Sequence, residues 1–256
     1  MDNLQLINFH CHHRSRERIK DMGEVFTPRN CIQRMLTLFN EKIWANENII
    51  FFEPACGHGN FVVSILEKRV NSLLKKYRKT KLETPLLYAI ANALNTLWAI
   101  DVSIGNIEIT RKRVFDFLVL KLLNARFCLS STNSTEFLAH ILCSILWQIQ
   151  ENETLSSLSD QSEAVLNASK IKISKEWLKK NGHQPIIFEL DWCEYYRQVS
   201  TNKTVPLPFQ RAVKFIETKI KNWSLRGYDE FEFAIESLPK IIKTFELSGI
   251  ESSTAL

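Results

Sequence analysis

The chain has 256 residues, with 33 Lys and Arg against 28 Asp and Glu, and a formal net charge of +5 at pH 7. At 45% hydrophobic and 24% charged residues it has the composition of an ordinary soluble globular protein, long enough for one large domain or one domain with a small appendage. No apolar run approaches the roughly 18 residues of a membrane span, no charged-then-apolar leader opens the chain, and six scattered cysteines without a Cys-x-x-Cys pair read as reduced thiols of a cytoplasmic protein.

The first 22 residues hold His10-Cys11-His12-His13 and then Arg14, Arg16, Arg18 and Lys20. Four adjacent potential ligands on one short segment seldom reach a single tetrahedral ion, and no second ligand pair follows at the usual gap. A polar N-terminal helix or arm is therefore expected, and no metal site. Thr27-Pro28 starts a helix, with a hydroxyl to cap and proline at the first helical position. Ile32, Met35, Leu36 and Phe39 give it an apolar stripe.

Ile49 to Phe52 is a short buried strand, stopped by Glu53 and Pro54. Gly57 and Gly59 follow, and a helix spans 59–79, facing the sheet through Phe61, Ile65, Leu66 and Val70. Strand, glycine turn and helix bring a nucleotide close to backbone N–H groups at a helix N-terminus. Residues 86–96 form a further helix, and Leu97 to Val102 a second strand that ends at Asp101. An acid in this position accepts hydrogen bonds from ribose hydroxyls. Asp101 lies 44 positions beyond Gly57, against about 20 in the dinucleotide folds, which implies an insertion before the second strand. Asn106 to Phe117 is helical and bears Arg111-Lys112-Arg113, a third basic cluster beside Arg14–Lys20 and Lys75–Lys81. Each cluster is either a solvated helix face or a nucleic-acid contact.

Further on, Arg126 to Ser130 reads as a short strand and Glu136 to Gln150 as an apolar helix. Leu155 to Ala168 reads as a flexible connection, and Ser174 to Lys180 as a short helix ended by Asn181-Gly182. Gln184 to Leu190 is a strand or extended segment. Asp191 to Tyr196 is aromatic and acidic, Pro206 to Asn222 is a basic amphipathic helix, and a tail begins at Ser248.

The nonapeptide Glu53-Pro54-Ala55-Cys56-Gly57-His58-Gly59-Asn60-Phe61 resembles the S-adenosylmethionine (SAM) loop of DNA adenine methyltransferases of restriction–modification systems. Gly23-Glu24-Val25-Phe26-Thr27-Pro28 resembles the segment that precedes that loop in the same family. The run Ile100-Asp101, then Asn106-Ile107, then Arg111 and Arg113 is similar to its second motif. The resemblance covers roughly the first half of the chain. It implies that the loop backbone wraps the methionine part of SAM, that Phe26, Thr27 and Pro28 line the pocket, and that Asp101, with Val102 beside it, holds the ribose. Glu53, Pro54, Ala55, Cys56, Gly57, Gly59, Asn60 and Phe61 complete the expected cofactor site.

Enzymes of this family also carry an Asp or Asn, two prolines and an aromatic after a later strand. These accept hydrogen bonds from the target amine and stack on the flipped base. That string is absent from the sequence. Thr204-Val205-Pro206-Leu207-Pro208-Phe209 comes nearest but lacks the polar residue and the adjacent prolines, and Glu151 and Glu153 are weak counterparts of the third acidic motif. The catalytic residues are therefore not identified.

The expected fold is α/β: a Rossmann-like SAM-dependent methyltransferase sheet with helices on both faces, a SAM-binding domain over 1–150, and a helical or irregular C-terminal part over 151–256 packed on it. The expected function is methyl transfer from SAM to the exocyclic amine of adenine in DNA, within a restriction–modification or phage-defence system. DNA, and a second protein subunit supplying recognition or catalytic residues, are the expected partners. A non-catalytic SAM- or DNA-binding subunit is the rival reading, and a protein or small-molecule acceptor a third.

Overall fold

The computed structural model describes residues 27–82, 84–125, 141, 144–145, 148–159 and 162–186. Phe26, the His10–His13 cluster, Arg14–Lys20, the stretch Arg126–Ser130 and everything from Asp191 onward lie outside the described residues. Helices α1 (Arg29–Leu36) and α2 (Glu41–Trp44) lead into β1 (Phe51–Glu53). Then come α3 (Asn60–Tyr77), α4 (Pro85–Asn95), β2 (Leu97–Asp101), α5 (Ile104–Asn124) and β3 (Ile149–Glu151). Three short helices follow: α6 (Thr154–Leu158), α7 (Ser162–Ala168) and α8 (Lys172–Asn181). The chain is thus mixed α/β.

The three strands form one parallel sheet in the order β1-β2-β3. Phe51 pairs with Leu97, and Ala99 with Ile149. Parallel neighbours need long crossovers, which the helices between them supply. Because the strands run the same way, Glu53, Asp101 and Glu151 end at one edge of the sheet. The expected insertion before β2 is α4. Pro85 sits in its first turn, and Leu87 through Asn95 are all buried, so the extra residues fill core rather than forming a surface loop. β2 is buried along its whole length: Leu97 and Ala99 join the helical core, while Trp98 and Ile100 are buried on the opposite face. On α3, Val62, Leu66, Val70 and Leu73 are fully buried, with Ile65 beside them and Phe61 packed at the edge of the same core.

Three expectations are corrected. Ile149 to Glu151 is strand, although the local pattern continues the apolar helical run before it. The open edge of β2 needs a hydrogen-bonding partner, and this requirement overrides local propensity. Leu155 to Ala168 is not a simple connection but contains α6 and α7. The Glu153 carboxylate caps α6 by accepting from the Ser156 N–H at 2.9 Å, and Val165 of α7 packs with Trp177 and Leu178. The first helix starts one residue later than expected, with Pro28 rather than Thr27 at the N-cap. Only Ile32 and Leu36 of its apolar stripe are buried; Met35 and Phe39 are about half exposed.

The entry segment is fastened by Arg69 of α3, which is fully buried. One guanidinium nitrogen donates to the carbonyls of Ile43, Trp44 and Asn46 at 3.2, 3.0 and 2.6 Å. The other donates to Thr96 Oγ1 at 2.7 Å, one residue before β2. The guanidinium also lies 5.0 Å from the Phe51 ring centroid, and Phe51 stacks on Trp44. One side chain therefore satisfies the carbonyls at the end of α2 and ties them to the sheet. Arg69→Met keeps the length of the stem and removes every donor. It is expected to cost about 3 kcal/mol or more in urea unfolding, because several buried carbonyls lose their partner at once. A loss under about 1 kcal/mol would show that water replaces the guanidinium without penalty.

Candidate functional site

β1 stops after Glu53, and the next six residues turn back across the sheet edge before α3 begins. A turn placed there has buried amides that need partners. The Ala55 N–H donates to Glu53 Oε1 at 3.3 Å, and the Cys56 N–H to the Ile100 carbonyl at 2.9 Å. The Gly57 N–H donates to Asp101 Oδ2 at 2.9 Å, and the Gly59 N–H to the Cys56 carbonyl at 2.7 Å. The loop is thus held by the last two residues of β2.

The two glycines are needed for different reasons. Both have positive φ, +52° at Gly57 and +77° at Gly59. A Cβ on Gly57 would meet nothing within 4 Å, so only its backbone conformation demands glycine. A Cβ on Gly59 would lie 2.8 Å from Thr110 Cγ2, so here the start of α3 packs closely against α5. Gly59 is the N-cap of α3.

Asp101 is almost buried, and its carboxylate accepts three hydrogen bonds from the protein, including the one from Gly57. Its Oδ1 accepts from the Ser103 N–H at 2.9 Å and from Asn106 Nδ2 at 3.0 Å, and its backbone carbonyl accepts from the Asn152 N–H at 3.0 Å. It lines a cleft of about 120 Å³ together with Pro54, Ala55, Val102, Ser103 and Asn106. The far wall is Thr154 with Ile171, Ile173 and Ser174 around the start of α8. Thr154 closes that wall by donating to the Pro54 carbonyl at 2.6 Å, and Trp177 of α8 donates to Glu151 Oε1 at 3.0 Å.

The strand ends carry negative charge. Burial raises the Glu53 carboxyl above the usual carboxylate range. The Ala55 N–H opposes that shift, and the charge of Asp101 adds to it. Burial, then Asp101, push the Cys56 thiol far above its ordinary value, so this thiol is not a nucleophile at neutral pH.

Of the expected site residues, Pro54, Ala55, Asp101 and Val102 come together at the cleft. Glu53, Gly57, Gly59 and Asn60 form the turn behind it. Cys56 is buried within 3.8 Å of Thr110, and Phe61 packs on the core. Thr27 and Pro28 stand just before Arg29, which pairs with Glu67 of α3 at 3.7 Å, and neither is among the residues that line the cleft.

The Arg111–Arg113 cluster is reassigned, and the Lys75–Lys81 cluster lies away from the turn. Arg111 donates to the Ile149 carbonyl at 2.7 Å and so holds β3. Arg113 donates to the His58 carbonyl and, at 2.8 Å, to Asn60 Oδ1, while Lys112 pairs with Asp116. Burial lowers the Arg113 pKa from its ordinary value. These arginines are structural ties. The Lys75–Lys81 cluster was expected near the pocket rim if DNA is the substrate. It lies at the opposite end of α3, with Lys75 about 22 Å along the axis from Asn60.

Ser103, Thr110, Thr154 and the Ile171–Ser174 segment were not identified from sequence, and Asn106 and Arg113 were named only as part of the motif that follows Asp101, with no role at the turn. Asn106 and Thr110 had a signal in their helical spacing after Asp101. Thr154 had none, since its role arises from a contact 100 positions away.

Gly59→Ala should cost about 3 kcal/mol, the sum of left-handed backbone strain and overpacking against Thr110, while Gly57→Ala should cost about 1 kcal/mol from strain alone. Chemical denaturation of both variants checks this, and equal losses would remove the packing argument. Glu53→Gln gives a pH test. A carboxyl with a raised folded pKa opposes folding once ionised, so stability falls as pH rises through that pKa. Glu53→Gln should therefore raise the thermal midpoint at about pH 7 and lose that advantage near about pH 4, below the ordinary carboxyl value. A pH-independent difference would contradict the assignment.

Comparison of this chain with protein-family models, with curated proteins and with solved structures finds no match.

Proposed function

We propose that this chain binds SAM at the turn 53–61 and Asp101, and transfers its methyl group to the exocyclic amine of adenine in DNA, as part of a restriction–modification or phage-defence system. One observation carries the cofactor reading. The glycine turn after one parallel strand is hydrogen-bonded to the acid that ends the next, with an open space in front of Gly57. The order β1-β2-β3, with all strands parallel, agrees with one mononucleotide-binding half of a Rossmann-like sheet, which places ligands outside the carboxyl ends of the strands.

The residues present fit the ribose end of SAM. Asp101 lies on the cleft wall, and a carboxylate has about four acceptor positions, of which the protein's own donors use three. The cleft is smaller than the roughly 300–1,000 Å³ of a complete ligand pocket, so it takes a ribose-sized fragment, with the remainder over the open turn. Val102 gives the cleft an apolar wall, and the backbone of 55–59 would hold the methionine part. SAM supplies an electrophilic methyl group that passes in line to the amine nitrogen, with no covalent enzyme intermediate.

The acceptor class comes from the likeness of the motifs Gly23–Pro28 and Glu53–Phe61 to those of the methyltransferases. A second reading, a non-catalytic SAM- or DNA-binding subunit, is favoured by the absence from the sequence of the Asp/Asn-Pro-Pro-aromatic string and by the remoteness of Lys75–Lys81 from the turn. Titration calorimetry with SAM separates binding from chemistry. Asp101→Ala should weaken SAM at least tenfold, since hydrogen bonds to a charged group contribute roughly 1.5–3 kcal/mol. Unaltered affinity in that variant would sink the cofactor reading. Transfer of labelled methyl to duplex DNA by the wild-type chain decides between enzyme and subunit; SAM binding without transfer, alone or with added DNA, selects the subunit.

A further inference from the structure

Helix α5 touches the glycine turn at three consecutive residues. The Thr110 hydroxyl donates to the Gly57 carbonyl at 2.9 Å. The Arg113 guanidinium donates to the next carbonyl, that of His58, and to the Asn60 side chain at 2.8 Å. Gly59 follows these two carbonyls directly, and its missing Cβ leaves the room that the Thr110 side chain occupies. Thr110 and Arg113 are three positions apart in a helix, so they share one face.

We propose that Thr110 and Arg113 are positioning residues that set the direction of the amides in the ligand-facing turn. In a planar trans peptide the carbonyl and the following N–H point opposite ways. Holding the Gly57 carbonyl toward α5 therefore turns the His58 N–H away from α5. Holding the His58 carbonyl does the same for the Gly59 N–H, which accordingly reaches the Cys56 carbonyl inside the turn. Neither Thr110 nor Arg113 lines the cleft, so each acts through the backbone and not on a ligand. A turn with two residues at positive φ has few local reasons to keep one orientation; the α5 face supplies it. Arg113 also places positive charge beside the N-terminus of α3, where the helix dipole has the same sign, so a part of a ligand bearing negative charge is the one favoured over the turn.

The inference rests on the SAM reading only for the identity of the ligand; the orientation of the turn is measurable without it. Amide hydrogen exchange of the free protein is the first measurement, on wild type, Thr110→Val, Thr110→Ser, Arg113→Met and Arg113→Lys. Thr110→Val keeps the shape beside Gly59 and removes only the donor. Exchange at His58 and Gly59 should quicken about tenfold or more in Thr110→Val and Arg113→Met, with the β2 amides unchanged, as expected for loss of one or two hydrogen bonds. Thr110→Ser, which keeps the hydroxyl, should restore wild-type exchange, and Arg113→Lys should restore it partly. If Arg113→Met does not fold, the Val and Ser pair at position 110 decides. Unchanged exchange at 57–59, or quickening spread equally over β2, overturns the proposal. Titration with SAM is the second measurement. Affinity should fall about tenfold in Thr110→Val and recover in Thr110→Ser. Wild-type protein that ignores SAM while the exchange pattern holds would refute the cofactor and leave the positioning role standing. Wild-type affinity in Thr110→Val would refute the positioning role for this ligand and leave SAM binding intact.

Discussion

The architecture depends on how the backbone is satisfied where β1 stops. Three residues of strand give way to a turn whose amides are carried into the edge of the sheet. Besides Glu53, which takes the Ala55 N–H, and Cys56 within the turn, the turn's partners come from elements later in the chain. Ile100 and Asp101 take N–H groups, Thr110 and Arg113 take carbonyls, and Thr154 takes the carbonyl of Pro54. A buried amide without a partner costs about as much as a lost hydrogen bond, so each of these partners stabilises the turn. This couples β1, β2, α5 and the segment after β3 at one point, which is also where the candidate site lies.

The same need governs the rest of the first half. Helix α2 is a single turn, and its last carbonyls are taken by Arg69 rather than by further helix. α4 brings Asn95 into the core, where its side-chain oxygen accepts from Ser144 and its backbone carbonyl from Gln148, just before β3. Arg111 then takes the carbonyl of Ile149. Charged and polar side chains that a composition reading would assign to the surface are buried here because they end backbone segments that the short strands leave incomplete.

For function, the consequence is a division of labour among residues of similar type. Asp101 and Glu53 are both strand-terminal acids, yet Asp101 lines the cleft while Glu53 folds back on Ala55. Gly57 and Gly59 are both left-handed, yet one faces open space and the other a threonine side chain. Arg111 and Arg113 are two residues apart, yet one holds a strand and the other the turn. In each pair the neighbouring element assigns the role.

The strand, glycine turn and helix around Gly57 and Gly59 were legible in the sequence, although β1 runs Phe51–Glu53 and includes the acid expected to stop it; so were the second strand with its terminal acid and the helix that follows. The sequence by itself also determined the stop at Gly182, which ends α8 with a left-handed residue. These are carried by local signals: runs of apolar residues, glycines where φ must be positive, and acids at strand ends. The folded chain was needed to show that Ile149–Glu151 is a strand, that Thr154–Leu158 and Ser162–Ala168 are helices, and that the cleft is closed by Thr154 and the Ile171–Ser174 segment. It also showed that Arg111 and Arg113 are tied to backbone carbonyls while Lys112 between them is exposed. The physical reason is the same in each case. Hydrogen-bond demand at a sheet edge and at an interrupted turn is a property of the assembled backbone, and no window of sequence around the residue that meets the demand contains it.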